Sequence, residues 1–215
     1  DSFAAIRRML QSNKSGTTIV DDYKISSPAN DDTYEKIIRL SGDSQTTGKY
    51  VSGNKVVDEL ITGMSVITGE KRPQLQQSSY SRVLFVDLER FPVNADFLTK
   101  LQQSTADMNS FIAMFVQSII QNIDFDQTCF DLFEKYRDEL LHDEIYRGMH
   151  ARYYNIYGWL AAIWDMFVDF MKKQNISLDF DFRSEIKSYI YSQHCMYDNS
   201  PVKLFKTGYM ELLNS

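Results

Sequence analysis

From Asn94 to the C-terminus the apolar residues recur every three or four positions, and this single pattern leaves a packed set of amphipathic helices as the only economical fold for more than half the chain. Phe97, Leu98 and Leu101 begin the series, and Phe111, Met114, Phe115, Ile119 and Ile120 continue it. Further helices are predicted over 126–143, 149–173, 179–196 and 201–214, the last with Pro201 in its first turn. Tyr153, Tyr154, Tyr157, Trp159 and Trp164 stand at helical spacing beside Ile156, Leu160, Ile163 and Phe167, so they read as core, with a base-stacking platform as the sharper alternative.

The first ninety residues follow a different rule. An amphipathic helix (Phe3, Ile6, Met9, Leu10) precedes Gly16, after which the β-branched run Thr17-Thr18-Ile19-Val20 ends in Asp21 and Asp22 and reads as a buried strand. Asp31 and Asp32 are placed to cap a helix from Thr33 to about Leu40, stopped by Gly42. Residues 41–55 read as a loop or hairpin, and residues 64–68 and 83–88 as two more strands. The expected architecture is thus α/β, a partial sheet over residues 1–92, followed by a mainly α-helical bundle over 93–215, predominantly helical overall. No repeat or heptad run suggests a solenoid or coiled coil.

Charge narrows the functional classes. Residues 1–90 hold 12 Lys/Arg and 12 Asp/Glu, so the excess acid behind the net charge of -6 lies entirely in the helical half. Such a half is a poor surface for phosphate backbones. The two cysteines, Cys129 and Cys195, lie in apolar or aromatic stretches and read as free thiols of a reducing compartment, and no signal peptide or membrane span is evident, which points to the cytoplasm. The chain opens at Asp1 inside a helical pattern, as expected of a segment whose beginning has been removed.

A strand ending in two carboxylates suits a nucleotide hydrolase, in which one acid holds the water shell of Mg²⁺ and a second polarises the attacking water. The same pair would also serve as a turn or helix cap. The elements that follow are Ile37-Ile38-Arg39-Leu40-Ser41-Gly42-Asp43, then Ser65-Val66-Ile67-Thr68-Gly69-Glu70, then Ser78-Ser79-Tyr80-Ser81-Arg82-Val83-Leu84. In this order they resemble the ATPase core of the primase-helicase proteins of phages, plasmids and integrated mobile elements, over about residues 15–90, with a short echo at Pro201 to Phe205.

That resemblance implies a helicase-like P-loop ATPase of DNA replication or mobile-element maintenance, acting as a homo-oligomer on DNA, with ATP and Mg²⁺ as its cofactors. Asp21 and Asp22 would be the metal-side acids, Thr68 and Glu70 the sensor turn, and Arg82 an arginine finger reaching a neighbouring subunit. The chain departs from the family in lacking any Gly-x-x-x-x-Gly-Lys-[Ser/Thr], so by itself it is expected to bind no cofactor and to hydrolyse no ATP. Arg39, Lys49 and Lys55, spread through the segment 39–55, could touch a nucleic-acid backbone or form an ordinary solvated loop. His142, Asp143, Glu144 and His150 do not match a zinc helix and read as polar residues of helix ends, and Cys129 has no basic neighbour to activate it. The competing class is a non-enzymatic helical module for protein partners.

Overall fold

The computed structural model describes residues 3–13, 16–24, 28–43, 46–51, 55–88, 94–121 and 124–197, with side chains for all of these except 28–30, 46–51 and 55–60. Two compact units are present, Asp1–Leu84 with Tyr197–Ser215, and Phe85–Met196. The expected 201–214 helix lies outside the described residues.

The first unit is a small α/β layer. Its helices are α1 (Phe3–Ser12), α2 (Pro28–Gly42) and the single turn α3 (Gln77–Tyr80); its strands are β1 (Thr17–Val20), β2 (Thr46–Val51), β3 (Lys55–Leu60) and β4 (Met64–Ile67). Strands β1 and β4 pair in parallel, Thr17 with Met64 through Val20 with Ile67, while β2 and β3 form a separate antiparallel hairpin with Lys49 opposite Val57 and Lys55 opposite Val51. Helix α1 offers Ile6 and Leu10, one turn apart, to a core that also takes Val20, Ile37, Leu40 and Ile61. Along β1 burial alternates, with Thr18 and Val20 inside and Ile19 62% exposed. The strand is therefore covered on one face only, where a buried one was expected. Val66, the register partner of Ile19, is 41% exposed as well.

Two local expectations give way in the folded chain. Residues 83–88 form no strand. The amides of Phe85 and Asp87 donate instead to Gln193 Oε1 (3.0 Å) and the Tyr189 hydroxyl (2.9 Å), which satisfies the backbone without a neighbouring strand. Asp31 and Asp32 do not cap α2, because the helix begins at Pro28; Asp32 pairs with Lys36 one turn on. The segment 41–55, expected as a loop or hairpin, supplies β2 and the first residue of β3, the start of the antiparallel hairpin.

The second unit is all helical: α4 (Ala95–Gln103), α5 (Thr105–Ile120), α6 (Phe125–His142), the 3-10 turn Glu144–Tyr146, α7 (Ala151–Lys173) and α8 (Phe182–Tyr197), whose last residue belongs to the first unit. Asn94 caps α4 through Phe97 N–H (3.0 Å), and His150 caps α7 by accepting from Arg152 N–H at Nδ1 (3.2 Å). His142 ends α6 and Asp143 starts the 3-10 turn by accepting from Ile145 N–H, so these polar residues are helix ends as expected. The α6–α7 pair holds the core, with Phe133, Tyr136 and Leu140 facing Tyr153, Tyr157, Ala161 and Ala162. It closes tightly because Gly158 sits against Phe133. The tyrosines of the aromatic run are buried, while Trp159 is 45% exposed and stacks on Phe133 at 4.2 Å. Cys129 is buried and Cys195 half-buried, both free. Among the described residues, no helix is long and apolar enough to cross a membrane.

Candidate functional site at the carboxyl ends of the parallel strands

Parallel pairing of β1 with β4 brings their carboxyl ends side by side, and the residues that leave those ends are Asp21 and Asp22 on one strand and Thr68 on the other. The ladder continues one step beyond the strands, with Thr68 N–H donating to Val20 O (3.0 Å) and Tyr23 N–H donating to Thr68 O (2.8 Å). The Thr68 hydroxyl then ties the acids together. It donates to Asp21 Oδ1 (2.5 Å) and accepts from the Asp22 amide (2.9 Å). Asp22 takes φ +49°, a left-handed conformation that aspartate tolerates better than most residues. Its carboxylate remains exposed and lies 3.6 Å from Lys24 Nζ.

Gly69 follows because nothing larger fits. A Cβ there would lie 2.9 Å from the Tyr23 carbonyl oxygen, which the Tyr23–Thr68 backbone bond holds in place. Tyr34 from α2 closes the underside of the turn, edge-on to Tyr23 at 4.5 Å. Burial pushes its phenol up to about 12, helped by the Tyr23 hydroxyl, so Tyr34 stays a neutral wall at any physiological pH. Glu70, one residue past the glycine, is exposed.

Arg82 lies elsewhere. Its Nε donates to Asp43 Oδ1 (2.8 Å) with side chains 11% and 19% exposed, and its Nη1 reaches the Ser78 carbonyl. Gly42 permits the approach, since a Cβ there would meet the Arg82 stem at 3.1 Å. Helix α2 runs back along the sheet from the end of β1, and the Ser65–Ser41 hydroxyl bond (3.1 Å) fixes its last turn beside the start of β4. Arg82 is thus at the amino ends of the strands, the length of β4 away from the Asp21–Thr68 pair at their carboxyl ends.

The strap 74–82 that carries Arg82 is fastened along α2 by residues at four-residue spacing. Asp31 accepts from Gln74 N–H, Glu35 from Gln76 N–H and the Ser79 hydroxyl, Arg39 donates to Gln76 and Ser78, and Asp43 accepts from Arg82. Burial raises the Glu35 carboxyl, but hydrogen bonds from Ser79, Arg39 and the Gln76 amide, with the Arg39 charge, outweigh it and leave the group below its usual range. Glu35 is the residue the sequence reasoning missed, although Asp31, Glu35, Arg39 and Asp43 stand at i, i+4, i+8 and i+12. The same bonds engage Arg39, in the last turn of α2, with Glu35, Gln76 and Ser78. The side chains of Lys49 and Lys55 lie outside the described residues.

The second unit has its own depression of about 760 Å³, lined by Trp164, Asp165, Asp169, Phe180 and Arg183 among others. At its edge the buried Tyr136 hydroxyl donates to Asp165 and accepts from Arg183 Nη1 (2.7 Å). Among the described residues no cluster of three or more metal-ligating side chains occurs.

No family model, curated protein or solved structure matches the chain.

Proposed function

We propose that this chain is a segment of a helicase-like P-loop ATPase of DNA replication or mobile-element maintenance, contributing the metal-side acids and sensor threonine while the phosphate-binding loop comes from elsewhere in the protein. One observation carries the reading. Asp21 and Thr68, from adjacent parallel strands, meet in a hydrogen bond at the carboxyl ends of those strands, with Asp22 alongside. Open α/β sheets place their ligands there. The exposed Ile19–Val66 pair adds support, because parallel sheets are ordinarily covered on both faces and a completing half of the domain would supply the missing cover.

The donor set fits Mg²⁺, which keeps several waters, takes one or two carboxylates and completes its shell with substrate phosphates. Asp21 and Asp22 would hold the ion's water shell, and the ion would neutralise charge on the phosphates of ATP. Thr68 positions the Asp21 carboxylate and fixes the Asp22 backbone. Arg82 can act as a finger in a neighbouring subunit only if Asp43 releases it. This reading places the protein in the cytoplasm, as a homo-oligomer acting on DNA.

The test uses the reading frame upstream of Asp1. A phosphate-binding loop preceded by a β-branched run, within about one βαβ unit, is expected. The longer protein carrying it should hydrolyse ATP, and Asp21→Asn or Asp22→Asn should lower turnover while leaving equilibrium Mg²⁺-nucleotide binding measurable by calorimetry. The isolated chain should release phosphate at background rate. Unchanged turnover in both variants, or robust hydrolysis by the isolated chain, overturns the assignment.

A further inference from the structure

Helices α4 and α5 contain no buried side chain, although α5 is the most apolar helix of the second unit and Asp107 is its only ionisable residue. One edge of α5 is satisfied, because Phe111 and Phe115 meet Phe167 and Phe170 of α7 at centroid distances of 5.2 to 6.2 Å. Beside that edge runs a row at four-residue spacing, Met108, Ile112, Val116 and Ile120, exposed by 42, 55, 45 and 75%. Phe97 and Leu101 of α4 are exposed as well, at 64 and 42%.

An aromatic or long aliphatic side chain offers on the order of 150–200 Å² when open, so the two helices leave roughly 600 Å² of apolar surface uncovered, the upper end of what a monomer tolerates. One partner in a stable interface contributes about 800 Å². The patch has nearly that area.

The charges identify the occupant. Two copies of a chain of net charge -6 repel each other overall, and most where acidic residues of one meet acidic residues of the other. From Met108 to Ile120 there are none, so a two-fold contact that lays this row on itself brings no like charges together. An anionic membrane surface would call for Lys and Arg beside the row, whereas α4 and α5 offer Asp96, Lys100 and Asp107. We propose that the α4–α5 face binds a second copy of the chain in an isologous dimer, with the i, i+4 ridges of the two α5 helices packed at the steep crossing such ridges favour. This proposal is independent of the nucleotide reading.

Sedimentation equilibrium of the full chain should give a dimer at tens of micromolar. Ile112→Glu, which places a charge from each copy in the contact, should weaken association by about 100-fold or more, with helix content by circular dichroism unchanged. Ile120→Glu, at the most exposed position of the row, should do the same and decides the matter if Ile112→Glu fails to fold. A wild-type monomer at about 100 μM, a dimer that persists in the folded variants, or a mass that grows with concentration beyond two copies overturns the proposal.

Discussion

Gly158→Ala reverses the usual sign of a glycine replacement in a helix. In the interior of α7 a Gly→Ala change should stabilise by about 1 kcal/mol through helix propensity alone. The added Cβ, however, would stand 2.8 Å from Phe133 Cδ2 and 3.0 Å from the Phe133 carbonyl oxygen, where carbon contacts settle at about 3.5–4.0 Å. The Phe133 ring cannot swing aside freely, since its other neighbour is the stacked indole of Trp159 at 4.2 Å. Helices α6 and α7 must therefore part, and overpacking of this kind costs about 1–3 kcal/mol. The net is a loss of about 1 kcal/mol. Both tryptophans, Trp159 and Trp164, lie in α7, so their fluorescence during urea unfolding reports this unit alone. With a slope of about 1–3 kcal/mol/M, the midpoint should fall by roughly 0.3–1 M. A midpoint equal to or above wild type would show that the α6–α7 contact accommodates the added methyl without parting the helices.

Tyr157 is fully buried, and its hydroxyl makes no hydrogen bond of ordinary geometry among the described residues, with the Lys187 ammonium beside it, so Tyr157→Phe should leave that unfolding midpoint unchanged or raise it, whereas a drop would reveal a bond to Lys187. Arg82→Ala strips the half-buried Asp43 of its cation and should destabilise the first unit by about 1–3 kcal/mol, read as loss of protease resistance in residues 1–84; full resistance would free Arg82 for a role outside the fold. Glu35 has a folded-state pKa below its usual value, so its contribution is complete above the unfolded value of 4.5 and disappears as pH falls through the lower folded one. Wild type should lose stability over that acid range faster than Glu35→Gln, as measured by urea midpoints from pH 6 to 3, and parallel curves would remove Glu35 from the account.

Local pattern determined the elements that depend on local pattern. The 3.6-residue periodicity of 126–143, 149–173 and 179–196 placed α6, α7 and α8 to within a few residues, because an amphipathic stripe must be buried whatever lies opposite. The β-branched run ending in Asp21 and the one ending in Thr68 identified β1 and β4 and the acids and hydroxyl that leave them. Their meeting was not legible, since parallel register depends on a crossover of more than forty residues. Residues 83–88 have the composition of a strand, yet Gln193 and Tyr189, a hundred residues downstream, take up their amides. The four-spaced row Asp31, Glu35, Arg39 and Asp43 was visible as a polar ridge on a helix, but only the returning strap 74–82 gives each member its partner and draws Arg39 and Arg82 into the fold. A side chain's type states which bonds it can make; which it does make depends on what the chain brings back to it, and that is a property of the tertiary structure alone.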